Sequence, residues 1–389
     1  MTSWHVITGE YPPQSGGVSD YTEQVCQALV RCGDTVHVWA PALPLAQAQL
    51  PAIDAKGVVV HRLEGGFGPR GLLDLTRQLA LLPDPPRLLV QYVPHAFGYR
   101  AMNLLFCLWL ASTRREQLWI MFHEVAFPFG QPPLRTNLIA GVTHAMATIL
   151  VNCADRVLVS TTVWEKVLST LKRGRLRTRW LPIPSNLPTQ VDPAAAADCR
   201  RQLLDAEQSI LIGHFGGYGP YIAPLISAVI PELLAGRAER RVALLGRGST
   251  AMAEQLVRRH PELRGRIVAT GGLSTEQLAR HIAACDLLVQ PYIDGVSTRR
   301  TTLMAGLALG VPVVTNLGPA TDPDWPTWGA VALARDASAP RLAEQVELLL
   351  GSTEQRSALA KRASDRYREL FSIERTIEAL SHGDAPDPR

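Results

Sequence analysis

Lysine is scarce in this chain. Among 39 basic residues only Lys56, Lys166, Lys172 and Lys361 are lysines. A cation that meets a phosphate here is therefore expected to be arginine, whose planar fork grips two oxygens at once. Charge of one sign is lacking too, since 39 basic against 35 acidic residues leave +4, too little for a dedicated nucleic-acid binder. The cysteines, at positions 26, 32, 107, 153, 199 and 285, never take the C-x2-C spacing that sets two thiolates on one zinc, and they read as reduced, mostly buried thiols of a cytoplasmic protein.

Long apolar runs are missing as well. Ala101 to Ala111 and Leu138 to Val151 are the longest, each shorter than the roughly 20 residues that span a bilayer, and they are interrupted by Asn103 and His144. The opening residues Met1-Thr2-Ser3-Trp4 have no basic segment followed by an apolar stretch, so no secretion signal is expected. No repeat with a period of about 20–50 residues is visible, which excludes a solenoid. What the chain has instead is 47% hydrophobic residues over 389 positions, enough for two or three domains with real cores.

Short β-branched runs alternate with longer helical patterns, the pattern of parallel sheets with crossover helices. In the first half the expected strands are Trp4 to Thr8, Thr35 to Trp39, Val58 to Arg62, Leu88 to Tyr92, Trp119 to Phe122 and Arg156 to Ser160. Helices are expected at Tyr21 to Arg31, Leu72 to Leu82, Ala101 to Thr113, Thr136 to Val151 and Val163 to Leu171. The alternation restarts with strands at Ile210 to His214, Arg241 to Leu245, Ile267 to Thr270, Leu287 to Pro291 and Pro312 to Asn316. The fold class expected is α/β, two Rossmann-like doubly wound parallel-sheet domains facing across a cleft. Between them Leu181-Pro-Ile-Pro-Ser-Asn-Leu-Pro188 cannot continue a helix or a central strand, so a linker is expected there. The expected divisions are residues 1–188, a linker over 189–204, a second domain over 205–370, and a C-terminal helix with a loose tail over 371–389. Ser338 and Pro340 begin a helix to Leu350, followed by a second from Thr353 to Phe371.

Candidate chemistry sits in the loops that follow strands, at the carboxyl edge where ligands of this fold class bind. The first is Gly9-Glu10-Tyr11-Pro12-Pro13-Gln14-Ser15-Gly16-Gly17-Val18-Ser19-Asp20-Tyr21. Gly16 and Gly17 permit close backbone approach, and the next helix start offers N–H groups to an anion or a hydroxyl. The same residues also suit an ordinary glycine turn capped by Ser19 or Asp20. The loop is not the G-x-G-x-x-G fingerprint, which counts against a nicotinamide or flavin cofactor. His123-Glu124 ends another strand, where the imidazole suits a sugar hydroxyl or a proton transfer, or serves the core. The later loops hold His214-Phe215-Gly216-Gly217-Tyr218, Gly246-Arg247-Gly248 and Asp294-Gly295-Val296-Ser297-Thr298-Arg299-Arg300-Thr301. The last places two arginines before a helix start, which favours an anion; a capped surface helix with solvated arginines is the alternative.

These residues resemble the retaining glycosyltransferases of GT-B fold, family 4, also called group 1. The resemblance covers nearly the whole chain. It rests on Gly9-Glu10-Tyr11-Pro12-Pro13 with Gly16-Gly17-Val18, on His123, and on Asp155-Arg156-Val157-Leu158-Val159-Ser160 with Ile183-Pro184-Ser185-Asn186. It continues through Leu244-Leu245-Gly246-Arg247-Gly248, Gly271-Gly272-Leu273-Ser274, Ala284-Cys285-Asp286-Leu287 and Ala308-Leu309-Gly310-Val311-Pro312. Two departures stand out. Ser297 and Ala305 occupy the positions of the family's Glu-x7-Glu pair, and His214-Phe215-Gly216-Gly217 replaces its usual arginine and lysine. Arg299 and Arg300 read as the relocated cations.

The resemblance implies transfer of a sugar from a UDP- or GDP-linked donor to a carbohydrate or lipid-linked acceptor with retention, in bacterial polysaccharide or glycolipid assembly. No cofactor is expected, and no metal, because no Asp-x-Asp stands in a suitable loop. Catalysis falls to His123, Glu124, Arg299 and Arg300. Donor binding falls to Gly16, Gly17, His214, Gly216, Gly217, Gly246, Arg247, Asp294, Ser297, Thr298, Arg299, Arg300 and Thr301, and acceptor binding to Glu10, Asp20 and Tyr21. The basic run from Lys172 to Arg179 suggests peripheral contact with an anionic membrane at its inner face. A non-catalytic binding or scaffold subunit of the same fold is the competing reading, with hydrolysis or epimerisation of a nucleotide sugar behind it.

Overall fold

Strands β1 (Ser3–Thr8), β2 (Thr35–Pro41), β3 (Val59–Leu63), β4 (Arg87–Tyr92), β5 (Leu118–Phe122), β6 (Arg156–Val159) and β7 (Thr178–Trp180) pair in parallel in the order β3-β2-β1-β4-β5-β6-β7. Helices α1 (Gly17–Arg31), α2 (Pro69–Ala80), α3 (Leu104–Ser112), α4 (Arg135–Cys153) and α5 (Val163–Leu171) make the crossovers. All five residues of β5 are buried, as expected of a central parallel strand covered by helices on both faces. The computed structural model describes residues 2–14, 16–43, 57–82, 87–113, 117–130, 133, 135–205 and 208–381.

The second sheet is built from β8 (Ile210–Phe215), β9 (Arg240–Leu245), β10 (Ile267–Ala269), β11 (Leu287–Val289), β12 (Val313–Asn316) and β13 (Ala332–Ala334), again parallel, in the order β10-β9-β8-β11-β12-β13. Around it lie α6 (Pro193–Leu203), α7 (Ala223–Leu234), α8 (Ser249–Arg259), α9 (Thr275–Ala283), α10 (Thr301–Ala308), the short α11 (Trp325–Trp328), α12 (Ala339–Leu350) and α13 (Thr353–Arg366). Ile212, Leu244, Leu287 and Val289 from the strands pack with Ile226 and Ile230 of α7 in its core. A final helix, α14 (Ile373–Ser381), packs on α1 of the first sheet. The chain therefore divides into one unit of Met1–Pro182 with Ile373–Arg389 and another of Ile183–Ser372.

Several boundaries differ from expectation, each for a local reason. The expected linker contains α6, which Asp192 starts by accepting from Ala194 N at 3.0 Å with Pro193 at the first helical position. Arg200 then ties α6 into the second unit through Asp286 (2.8 Å) and the Ala284 carbonyl (2.9 Å). The three-residue strands β7 and β13 went unexpected because Thr-Arg-Trp and Ala-Leu-Ala carry no β-branched apolar run. The helix after Ser352 passes into a π-helical turn at Tyr367–Phe371, and residues 382–389 of the expected tail lie outside the described residues. Among the described residues α4 carries one stretch, Thr136–Cys153, long and apolar enough by length and composition alone to cross a membrane. Its polar side chains turn back onto the helix, with Thr143 Oγ1 2.9 Å from the Ile139 carbonyl and Thr148 Oγ1 2.8 Å from that of His144.

Both strand orders reverse direction once, between β1 and β4 in the first sheet and between β8 and β11 in the second. At such a switch the loops leaving the two strands turn to opposite faces and open a crevice beyond the strand ends. The candidate loops after β1, β8 and β11 lie at these two places.

Candidate functional site

In the first unit the loop after β1 is organised by Glu10. Helix α1 starts at Gly17, four residues before its expected start, and neither Ser19 nor Asp20 is its N-cap. That position belongs to Gly16, which has no side chain to offer, and Glu10 Oε1 instead accepts from Ser19 N at 3.1 Å, a carboxylate at the positive end of the helix. A Cβ on Gly16 would stand 2.5 Å from that carboxylate oxygen, so a side chain there would displace Glu10 from the helix start. Gly17 meets nothing within 4 Å and needs no glycine for space. Tyr21 is buried and its ring meets His123 edge-on at 5.0 Å; burial raises its phenol above the ordinary value.

His123 is buried as well. Its Nε2 lies 2.7 Å from Gln91 Oε1, while its carbonyl accepts from Trp164 Nε1 at 2.9 Å. Burial holds its imidazole down at about 3, so the ring is neutral at pH 7. Glu124 is half-exposed and approaches His95 at 3.7 Å, a contact with no counterpart in the sequence reading because His95 belongs to the separate loop after β4. Gln91, the partner of His123, went equally unnoticed, since a lone glutamine inside an apolar strand carries no motif.

The second unit brings more of the expected residues together. A cavity of about 230 Å³ opens at the β8/β11 switch, lined by His214, Phe215, Gly216 and Gly217 from the first loop, Ile222, Gln290, Pro291 and Tyr292, and Arg299, Arg300, Thr301 and Thr302 at the start of α10. Arg299 reaches Asp294 Oδ2 at 2.8 Å, and Arg300 pairs with the other oxygen of the same carboxylate. Two guanidinium groups against one carboxylate leave one positive charge, beside the N–H end of a helix dipole. Arg300 also lies over the Tyr292 ring at 4.7 Å, and burial with the neighbouring Arg299 pulls its pKa down. Tyr292 donates to or accepts from Thr302 Oγ1 at 2.8 Å and is pushed up to about 12 by burial.

His214 fills the cavity wall with its Nδ1 2.9 Å from the Val289 carbonyl, and burial holds it down at about 4. Gly246 has a φ of 107° and approaches the Gly216 carbonyl so closely that a Cβ would stand 2.8 Å from it, so glycine is needed there for both reasons. Of the expected donor residues, Gly16 and Gly17 belong to the first unit, and Gly246, Arg247, Asp294, Ser297 and Thr298 are not part of the cavity lining. Arg247 is exposed and outside the cavity lining. Ser297 and Thr298 are fully buried: Thr298 N donates to Asp322 Oδ2 at 2.8 Å and its carbonyl accepts from Ile183 N at 2.9 Å. They support the arginine loop from behind. A larger hollow of about 460 Å³ lies between α12, α13 and β13, but the helix start it contains is already capped by Ser352, which accepts from Gln355 N at 3.2 Å.

Solved structures share this architecture. Sucrose-phosphate synthase from Thermosynechococcus elongatus superposes with a TM-score of 0.77 at 17% identity, over 98% of this chain and 99% of that one. Alr3699/HepE of Anabaena in complex with UDP-glucose gives 0.66 at 16%, over 98% and 100%, and a UDP-forming α,α-trehalose-phosphate synthase from Burkholderia vietnamiensis gives 0.66 at 14%, over 99% and 100%. At such identities the likeness establishes the fold, the two parallel α/β sheets of the GT-B glycosyltransferases. No curated protein matches the sequence. Residues 211–352, the segment that carries every residue lining the cavity at the β8/β11 switch, match the family described as Glycosyl transferases group 1.

Proposed function

We propose that this chain is a glycosyltransferase that moves a sugar from a nucleoside diphosphate sugar to a carbohydrate or lipid-linked acceptor, with retention and without a metal. The observation that carries the reading is the cavity at the β8/β11 switch, where Arg299, Arg300 and the start of α10 offer positive charge beside glycine loops inside the segment that matches the family. As the bond from the anomeric carbon to the diphosphate breaks, negative charge grows on the leaving oxygen, and fixed cations there stabilise the transition state. The volume, about 230 Å³, is below the roughly 300–1,000 Å³ of a site for a drug-sized ligand, so this cavity takes part of the donor: the diphosphate with an adjoining ring. The complex of Alr3699/HepE with UDP-glucose supports a UDP-linked donor. In this proposal Glu10, Asp20 and Tyr21, at the carboxyl edge of the first sheet, serve the acceptor, and His123 and Glu124 orient the donor sugar. The setting is the cytoplasmic face of a membrane.

A screen of UDP- and GDP-sugars by thermal shift tests the donor, since a ligand at 100 times its Kd adds about 2.7 kcal/mol of stability. Calorimetry then tests the cations. Arg300→Ala should weaken UDP or GDP by about 10- to 150-fold, the range of one charge-assisted hydrogen bond, and leave uridine unchanged. Equal diphosphate affinities would reduce the arginines to a salt-bridged helix start. The engagement of both arginines by Asp294, with Ser297 and Ala305 at the family's carboxylate positions, favours one competing reading, a non-catalytic binding subunit. Nucleotide release that depends on added acceptor separates transfer from that reading and from hydrolysis.

A further inference from the structure

We propose that Nε2 of His214 is a hydrogen-bond acceptor that selects a ligand hydroxyl in the cavity at the β8/β11 switch. The inference rests on the donor-site reading and adds a specific recognition chemistry to it. The ring's tautomer follows from its other nitrogen. Nδ1 lies 2.9 Å from the Val289 carbonyl, which only accepts, so the proton sits on Nδ1 and Nε2 carries a lone pair. That Nε2 is buried and without a partner among the described residues, although the imidazole lines the cavity. A buried acceptor left unpaired is costly, and a ligand hydroxyl removes the cost.

The surroundings keep the ring neutral. Tyr218 meets it edge-on at 5.3 Å, but its hydroxyl is directed at the carbonyls of His214 and Leu245. From β11 and the loop after it, Gln290 spends its amide N–H on the Phe215 carbonyl and Tyr292 engages Thr302. From the start of α10 come Arg299 and Arg300 with their shared Asp294, and two cations in the same cavity disfavour a third. Glycine at 216 leaves room in front of the ring: a Cβ there would stand 3.7 Å from Nε2 and 3.7 Å from Thr302 Cγ2. Arg300 meanwhile keeps a buried Nε–H without a partner among the described residues. Among the described residues the cavity lining thus includes a buried acceptor atom without a partner and a salt-bridged cation with one N–H to spare. The complementary ligand carries a hydroxyl next to an anionic oxygen, which describes a sugar phosphate and excludes a bare phosphate chain as the full occupant.

His214→Asn tests this, because the shorter amide keeps a donor near the Val289 carbonyl and leaves no acceptor at the position of Nε2. Calorimetry at pH 7.5 would compare UDP-glucose and GDP-mannose with pyrophosphate, which has no hydroxyl on carbon, in two buffers of different ionisation enthalpy. The expected result is a loss of about tenfold, one hydrogen bond's worth, for whichever nucleotide sugar binds the wild type. Pyrophosphate affinity should be unchanged, and no proton should be taken up. Unchanged nucleotide-sugar affinity, or proton uptake on binding pyrophosphate, overturns the assignment of His214 and leaves the donor site standing. If the wild type binds none of the three, the donor-site reading falls and this inference with it. Should the asparagine variant fail to fold, Gly216→Ala decides the matter: its methyl group in front of Nε2 should lower nucleotide-sugar affinity relative to pyrophosphate, and an unchanged ratio overturns the proposal.

Discussion

Each sheet has a buried histidine at the carboxyl end of a strand, and the two rings differ in what holds them. His123, after β5, gives Nε2 to Gln91 at 2.7 Å, packs against Tyr21 and holds Trp164 through its carbonyl. His214, in β8, gives Nδ1 to a backbone carbonyl, and its Nε2 is buried without a partner among the described residues, in a ring that lines a cavity. Burial and neutrality are common to both, so neither property marks a ligand residue. The difference lies in burial of the open nitrogen: among the described residues each ring has one paired nitrogen, but only in His214 is the unpaired one a buried atom. A second contrast separates the two carboxyl edges. In the first unit Glu10 is already spent in part on the start of α1, whereas in the second α10 begins at a cavity without a side-chain cap.

Stability measurements can break this comparison most directly. His123→Ala removes a fully packed ring and strands the Gln91 amide, which is 1% exposed. The expected cost is about 2–4 kcal/mol, combining lost packing with an unpaired buried polar group. His214→Ala loses one hydrogen bond from a buried ring on a cavity wall, so it should cost about 1–2 kcal/mol. Urea denaturation of both variants checks the order. A larger loss for His214→Ala would mean that its ring is the structural one.

That distinction was out of reach of the sequence. Both histidines follow apolar runs, and a strand end says where a side chain sits but nothing about its partner. Gln91 lies 32 residues before His123 and Val289 lies 75 after His214, so the deciding contacts are long-range. The strands themselves were legible because parallel strands buried on both faces must be apolar throughout, and the place of the candidate loops at the carboxyl edge followed from the alternation, whereas the strand order that opens the two crevices did not. The arginine loop was legible from charge placed before a helix start. Its tether to Asp294 was visible only as a neighbour in sequence, without a sign that one carboxylate holds both cations. The start of α1 was missed because its helix-stabilising carboxylate comes from Glu10, nine residues before the N–H it accepts.

Acid titration sharpens the comparison further. The free imidazole value is 6.5, and burial lowers it to about 4 in His214 and His61 and to about 3 in His123, with His37 also lowered. His37 Nδ1 and His61 Nε2 are 2.9 Å apart, so this pair too is arranged around unprotonated rings. Above about pH 6.5 these groups are neutral in both states and the full stability is present. Below it the unfolded chain binds protons that the folded one refuses, so stability falls as pH drops through 6 and 5 toward 4. His214→Asn should flatten that fall between 6.5 and 4, while His123→Asn should flatten it down to about 3. Urea midpoints at pH 7.5, 6, 5 and 4 test this, and identical slopes in wild type and both variants would show that neither histidine is held neutral by the fold.

The smallest expected effect concerns the other edge of the first sheet, where the basic run from Lys172 to Arg179 joins α5 to β7. Sequence alone counts five cations there. The structure reduces the number that can meet a surface: Lys172 Nζ donates to the Val151 carbonyl at 2.8 Å, and Arg179 is partly buried. Arg173, Arg175 and Arg177 remain exposed. Near an anionic bilayer each such charge contributes about 1 kcal/mol, and the attraction fades within a Debye length of about 8–10 Å at ordinary salt. Weak co-sedimentation with anionic vesicles is therefore expected at low salt and should be lost at high salt. Replacing Arg173, Arg175 and Arg177 together by glutamine should abolish it, and Lys172→Gln should leave it nearly intact. If binding survives the triple substitution, the half-exposed apolar face of α4 becomes the better candidate for the contact, and the basic run is a solvated turn.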